Sequence, residues 1–394
     1  MENLFEKTLV MILSGGKGER LYPLTKDRAK PSVPFLGTYR IIDFSLSNSL
    51  NSGLRKIALL TQYKSLSLER HILFGWNIFH PESRGSIISL PAQARVGERW
   101  YEGTADAVFQ NIYSIQQENP EVVLVLSGDH VYKADYRRMI RFYLDKDADV
   151  VIMAKPVPCQ EGRRFGIVRT DASGRIMEFV EKPKNPPTLP GDPDQSLASM
   201  GIYLFKTPNL IRALMQDAKS TKSTHDFGRD VLPRLIGEHK VYAYPFQGYW
   251  EDIGTIDAYW ESNMAFLSSA PPFDIHDATW PVRTYQGQNP PAFVDKSSLV
   301  NSIVGPGCLI SGASLRNSIL SPAVKIGQHS EILDSIIFEG VQIGKNVRLK
   351  KVIVDKVSII PDGFAIGHDP KQDDRYFKVY GEGIRIVPKN WRLD

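Results

Sequence analysis

Two architectures in series are what this 394-residue chain predicts: an α/β domain on a mainly parallel mixed sheet, then a parallel β-helix. Three observations carry that reading. Short apolar runs alternate with amphipathic stretches from Thr8 to about Leu267, a proline-rich stretch follows, and β-branched triplets then recur at a fixed interval.

Taken in order, the apolar runs predict strands at 9–13, 57–61, 122–126, 150–154 and 201–205. Between them Thr104 reads as a helix N-cap, with Ala105, Val108, Ile112 and Ile115 forming one apolar helical face. These elements fill a first domain at 1–269. Pro271, Pro272, Pro281, Pro290 and Pro291 then favour an extended connector, placed at 270–292. In the remainder, 293–394, the triplets centred on Ile303, Ile319, Ile336 and Ile353 are 16, 17 and 17 residues apart. Val324-x-Ile326-Gly327 returns as Val341-x-Ile343-Gly344, and six-residue steps join Ile326 to Ile332 and Ile343 to Leu349. Stacked coils with three six-residue faces explain such returns. A β-sandwich is the alternative, and three returns in register speak against it.

Composition narrows the function. Hydrophobic residues make up 42% and charged residues 23%, the mix of a folded globular chain. The net charge of +4 comes from scattered lysines and arginines, so nucleic acid is a poor partner, whereas a local basic pocket for a phosphorylated metabolite fits. Cys159 and Cys308 stand far apart without a CxxC partner, which excludes a disulfide framework and suits a reducing cytoplasm. The apolar run at 9–13 is too short for a signal peptide, and no stretch approaches a membrane span, so no membrane role is expected.

The chemistry-bearing residues cluster at the ends of the predicted strands. After the first, Ser14-Gly15-Gly16-Lys17-Gly18-Glu19-Arg20 is a glycine-rich turn with two cations, and Arg28-Ala29-Lys30-Pro31 adds two more. Glycines let backbone N–H groups approach phosphate oxygens, and the cations neutralise them. The turn satisfies neither the dinucleotide nor the P-loop fingerprint, so a plain structural turn remains open for it alone. Asp129 in Ser127-Gly128-Asp129-His130 ends a core strand, at the sheet edge where ligands bind in open α/β folds. Asp252, in Trp250-Glu251-Asp252, is a second hard oxygen ligand suited to Mg²⁺, although a helix N-cap is an equal reading for each Asp. Lys182 in Glu181-Lys182-Pro183 ends a strand, with a solvated lysine as its default. His225-Asp226-Phe227-Gly228 also reads as a capped helix start. No HExxH spacing and no G-x-S-x-G elbow occurs, which leaves zinc and covalent hydrolase chemistry without candidates.

Together the motifs at 15–21, 28–31, 39–44, 100–107, 127–130, 179–183, 199–203 and 249–255, with the repeat tail, resemble bacterial glucose-1-phosphate adenylyltransferase over nearly the whole chain. The resemblance implies a Rossmann-like nucleotidyltransferase domain and a left-handed β-helix. It implies the reaction ATP + α-D-glucose 1-phosphate ⇌ ADP-glucose + pyrophosphate, the committed step of glycogen synthesis, with Mg²⁺ on Asp129 and Asp252. Arg20, Lys30, Asp129, Lys182 and Asp252 are then the expected catalytic set. Gly15, Gly16, Lys17, Gln62, Gln93, Tyr101 and Gly103 are expected at ATP, and Glu181, Lys182, Ser199, Tyr203, Asp226 and Trp250 at the sugar phosphate. Relatives are commonly homotetramers governed by glycolytic metabolites and AMP; Lys26, Arg28, Arg40 and Arg375 are the corresponding effector residues. Asp27 and Pro34 depart from the enteric pattern of a Lys and a His, and an acid opposite a bisphosphate is repulsive, which weakens the case for fructose 1,6-bisphosphate. A pyrophosphorylase using another base is the nearest alternative. Two others are a non-catalytic regulatory subunit, against which all five catalytic residues are present, and an acyltransferase tail, for which only His329 and His368 are on offer.

Overall fold

Thr8–Leu13 (β1) has no polar face, and it is buried on both sides. In the computed structural model, which describes residues 2–80, 82, 85–92 and 100–393, it lies inside a nine-stranded sheet. Lys56–Thr61 (β2) and Val122–Ser127 (β4) flank it in parallel, and Ser86–Pro91 (β3) lies parallel beyond β2. On the other side Gln195–Lys206 (β8) runs antiparallel between β4 and Val150–Pro158 (β5), and Val241–Pro245 (β9) lies parallel to β5. The hairpin of Gly166–Thr170 (β6) and Ile176–Glu181 (β7) joins β8 at Ala198. The sheet is mainly parallel and mixed, as expected.

All five expected strands are present, with two differences of substance. The segment 201–205 is the reversed strand, and it extends back to Gln195 through an irregularity between Ser199 and Tyr203, where Gly201 takes φ 67°. Strands β3, β6 and β9 fall outside the expectation; β3 and β9 are edge strands with half-exposed side chains. The helix expected from Thr104 is two helices, Thr104–Phe109 and Ile112–Glu118. At the break Asn111 turns its amide onto the Ala107 carbonyl, 2.8 Å away. Thr104 is the first helical residue and not the cap.

Between Ala265 and Phe293 the chain forms no helix or strand. Beyond Phe293 three parallel sheets stack as the faces of a β-helix. Ile303, Ile319, Ile336 and Ile353 pair in register, and Ile386 completes the ladder after an excursion containing the helix Pro370–Asp373. The serines before these isoleucines have a structural task. The hydroxyls of Ser302, Ser318 and Ser335 accept the N–H groups of Ser318, Ser335 and Val352 at 3.1–3.2 Å, satisfying corner amides that the sheet ladders miss. The α/β part and the β-helix share an apolar core in which Leu24, Phe35, Phe44 and Tyr259 pack with Ile319, Phe338 and Ile353. Arg28 and Asp355, each 4% exposed, cross it as an ion pair of 2.8 Å.

Candidate active site

The glycine-rich loop leaves β1 at the C-terminal edge of the parallel strands, and Ser14 N–H donates to the Leu60 carbonyl at 3.0 Å. Gly18 adopts φ 63°, which lets the loop fold back so that its carbonyl accepts Thr25 Oγ1. A cleft of about 680 Å³ opens above, lined by Gly15, Gly16, Lys17, Arg20, Lys30, Gln62, Tyr101, Gly103, Asp129 and Asp226. Gln62 Oε1 accepts the Tyr101 N–H at 2.7 Å, so the two expected base-framing residues hold each other. Gln93 lies outside the described residues.

The carboxylates converge through a pairing that sequence spacing does not reveal. His130–Tyr132 and Trp250–Asp252 form an antiparallel pair in which Asp252 stands opposite His130. Asp129, at the end of β4, thereby meets Asp252. Lys30 Nζ bridges them, 2.6 Å from Asp129 Oδ2 and 2.9 Å from Asp252 Oδ1. Burial penalises the Lys30 ammonium, but the two carboxylates outweigh it and hold its pKa above the ordinary lysine value. Burial likewise favours neutral carboxyls, yet Lys30 holds both acids below the usual carboxylate range, and Ser127 Oγ donates to Asp129. Neither Asp caps a helix, since Thr255 caps the helix Ile256–Ala265. Two carboxylates that already share one buried cation, with hard oxygen donors, fit Mg²⁺.

Glu251 beside this cluster is pushed up to about 7, chiefly by burial. Its folded value exceeds the unfolded 4.5, so its contribution to stability is greatest below the unfolded value and is lost as pH rises to about 7. In the metal-free protein Glu251→Gln is expected to add on the order of 2 kcal/mol at pH 8 and to flatten the pH 5–7 dependence of the urea midpoint.

Two loops clasp across the cleft. His225 carbonyl accepts the N–H groups of Ala105 and Asp106 at 2.9 and 3.2 Å. Thr104 Oγ1 donates to Asp226 Oδ2 and accepts the Phe227 N–H, both at 2.9 Å. Thr104 enters the sequence reading as a helix cap within the motif at 100–107 and His225 within His225-Asp226-Phe227-Gly228, and neither is expected there as a site residue. Asp226 is both lining residue and cap, accepting the N–H groups of Gly228 and Arg229. A Cβ on Gly103 would stand 2.2 Å from the His225 carbonyl oxygen. Gly103→Ala is therefore expected to part the loops, costing about 1–3 kcal/mol in a thermal melt and raising KM for both substrates.

The remaining sugar-side residues occupy the neighbouring strand ends. Glu181 Oε2 faces Gly166 and Gly228, and Lys182, at φ 48° and half exposed, holds its ammonium 3.1 Å from Glu181. Tyr203 is buried against Phe227, and Ser199 Oγ accepts the Gly201 N–H at 3.3 Å. Trp250 is buried behind the carboxylates, donating Nε1–H to His130 Nδ1 at 3.2 Å. Of the residues expected at the sugar phosphate only Asp226 lines the 680 Å³ cleft; Glu181, Lys182, Ser199, Tyr203 and Trp250 do not.

The four basic residues expected for effectors are dispersed. Arg28 is buried on Asp355; Arg40, half-buried, donates Nη1 to Ser67 and lines a gap with Glu339 and Lys356 between the two parts of the chain. Lys26 and Arg375 are exposed and line neither cleft.

A glycine-rich loop, a lysine between two carboxylates and a β-helix tail define a nucleotidyl transferase joined to a hexapeptide-repeat domain. The nucleotidyl transferase family matches residues 9–269, and the GlmU-like C-terminal hexapeptide family matches 290–387. Glucose-1-phosphate adenylyltransferase of Koribacter versatilis is 46% identical, covering 98% of this chain and 96% of the relative. The corresponding protein of Thiobacillus denitrificans is 46% identical over 98% and 90%, and glucose-1-phosphate adenylyltransferase 2 of Vibrio cholerae 44% over 98% and 99%. The chain belongs to the glucose-1-phosphate adenylyltransferase family.

Proposed function

We propose that the chain transfers the adenylyl group of ATP to α-D-glucose 1-phosphate, releasing pyrophosphate and forming ADP-glucose, the precursor committed to glycogen. The observation that carries this reading is a single cleft lined by both the glycine-rich loop and the Lys30–Asp129 pair, with Asp252 held against Lys30 behind it. The sugar phosphate is a monoester, mostly dianionic at neutral pH, so its oxygen is already a nucleophile and no general base is required. What remains is to align two polyanions and shield their charge.

Gly15 and Gly16 would bring backbone N–H groups to the triphosphate, and Lys17, Arg20 and Lys30 would neutralise it. Gln62 and Tyr101 would frame the adenine. Asp129 and Asp252 would hold Mg²⁺, which when bound supplies charge neutralisation at the α-phosphate and the leaving pyrophosphate. Lys182 would bind the sugar phosphate, with Glu181, Ser199, Tyr203, Asp226 and Trp250 shaping the glucose site. Lys182→Gln is expected to raise KM for glucose 1-phosphate by roughly 10- to 100-fold while the KM for ATP stays within about twofold, the cost of one charged hydrogen bond. If the ATP constant rose instead, Lys182 would belong to the other substrate.

The chain divides functionally into a catalytic domain at 1–269, a connector at 270–292 and an oligomerisation and regulatory β-helix at 293–394. A homotetramer in the cytoplasm, answering to a phosphorylated metabolite or AMP through Arg40 at the junction, completes the reading; Arg28, buried on Asp355, and Lys26 and Arg375 are its weaker members because they line neither cleft. Among the described residues no helix is long and apolar enough to cross a membrane. Initial rates with ATP, UTP, dTTP and GTP against glucose 1-phosphate test the assignment. ATP is expected to be fastest, and UTP or dTTP outrunning it would overturn the adenylyl reading.

A further inference from the structure

Three side chains that could ligate a metal meet at the cluster: one atom each from Asp129, His130 and Asp252 lies within 4.8 Å of the others. His130 Nε2 is 3.5 Å from Asp129 Oδ1 and 3.7 Å from Asp252 Oδ1. By donor type this is an oxygen–oxygen–nitrogen set, which would suit Mn²⁺, Co²⁺ or Zn²⁺ better than Mg²⁺. The other face of the imidazole decides otherwise. An indole N–H can only donate, and Trp250 Nε1 directs it at His130 Nδ1 at 3.2 Å. Nδ1 must therefore present its lone pair to Trp250, and in the neutral ring the proton sits on Nε2, the nitrogen that faces the carboxylates. A protonated Nε2 has no lone pair to give a metal.

The arrangement is imposed by the short antiparallel pair. Trp250 and Asp252 are two residues apart on one strand and so project to one face, with His130 directly opposite Asp252 and Trp250 diagonal to it. The rings meet edge to face, with centroids 5.6 Å apart and planes at 81°. Trp250 is 6% exposed and His130 9%, so the contact between them is buried.

We infer that Trp250 is a specificity-determining positioning residue: its indole N–H locks His130 as the Nε2–H tautomer, which keeps imidazole nitrogen off the metal and leaves an all-oxygen site selective for Mg²⁺. The inference rests on Asp129 and Asp252 holding the metal, and the experiment separates the two. Mn²⁺ is titrated into the full-length protein and followed by electron paramagnetic resonance, with ¹⁴N couplings read from the echo modulation. In the wild type, Mn²⁺ binds without directly coordinated imidazole nitrogen, and Asp129→Asn weakens that binding. In Trp250→Phe the freed Nδ1 takes the proton, a ¹⁴N coupling appears, and Mn²⁺ tightens relative to Mg²⁺ by about tenfold, the usual scale for a hydrogen bond behind a ligand. Trp250→Phe/His130→Gln loses both effects. A directly bound nitrogen in the wild type, or a folded Trp250→Phe with no coupling and an unchanged Mn²⁺/Mg²⁺ ratio, overturns the inference. Mn²⁺ binding indifferent to Asp129→Asn overturns the metal reading instead. Should Trp250→Phe not fold, the histidine ¹H–¹⁵N correlation spectrum of the wild type decides: the His130 proton on Nε2 supports the inference, and on Nδ1 refutes it.

Discussion

Asp129→Asn is expected to lower kcat by roughly 100- to 1,000-fold, the scale set by removing one preorganised charge from a site where charge develops, while the protein stays folded. Both halves of that expectation come from the same geometry. Lys30 loses its 2.6 Å partner but keeps Asp252 at 2.9 Å, so no buried charge is left unpaired and the cost to stability is about 1 kcal/mol. On the proposed metal role catalysis has no such reserve, because one remaining carboxylate would not clamp a divalent cation and Lys30 would be drawn wholly onto Asp252. Single-turnover rates at saturating ATP, paired with circular dichroism, measure the two halves separately. Near-normal turnover in a folded Asp129→Asn protein would remove Asp129 from the metal role.

The largest loss of stability falls elsewhere. Asp355→Ala is expected to cost about 3–5 kcal/mol, because Arg28 then stays charged in the core between the two parts of the chain with nothing opposite it. Arg28 is 4% exposed and its Nη1 already has no partner. Asp355 also accepts the Lys356 N–H at 2.6 Å, a bond lost in the same variant. The double variant Arg28→Met/Asp355→Leu is expected to recover most of that loss, since two apolar side chains need no mutual charge and Phe338 lies alongside. Urea denaturation followed by tryptophan fluorescence compares the three proteins. Equal destabilisation by the single and double variants would mean that packing, and not the buried charge, sets the cost.

What could be read from the sequence divides by range. The glycine-rich turn, the carboxylate at the end of β4 and the β-helix ladder through Ile303, Ile319, Ile336 and Ile353 are local or periodic features, and the structure realises each of them. The reversed strand β8 escaped because an apolar run carries no direction. The meeting of Asp129 with Asp252 depends on a pairing between segments about 120 residues apart, and Lys30 comes between them from a third segment. Arg28 is expected from the sequence as a cation facing a phosphorylated ligand, whereas its burial follows from Asp355 arriving on the β-helix. Trp250 carries the same lesson: the family resemblance places it at the glucose site, and only the fold reveals that its N–H is engaged by His130.

The central claim is that ATP and the sugar phosphate occupy one cleft together and react directly, with no enzyme nucleophile between them. ATP made chiral at the α-phosphorus by sulfur substitution tests it in a single turnover. The account predicts ADP-glucose bearing the inverted α-phosphorothioate, the outcome of one in-line displacement. Retention of configuration would require two displacements through a covalent enzyme intermediate and would contradict it.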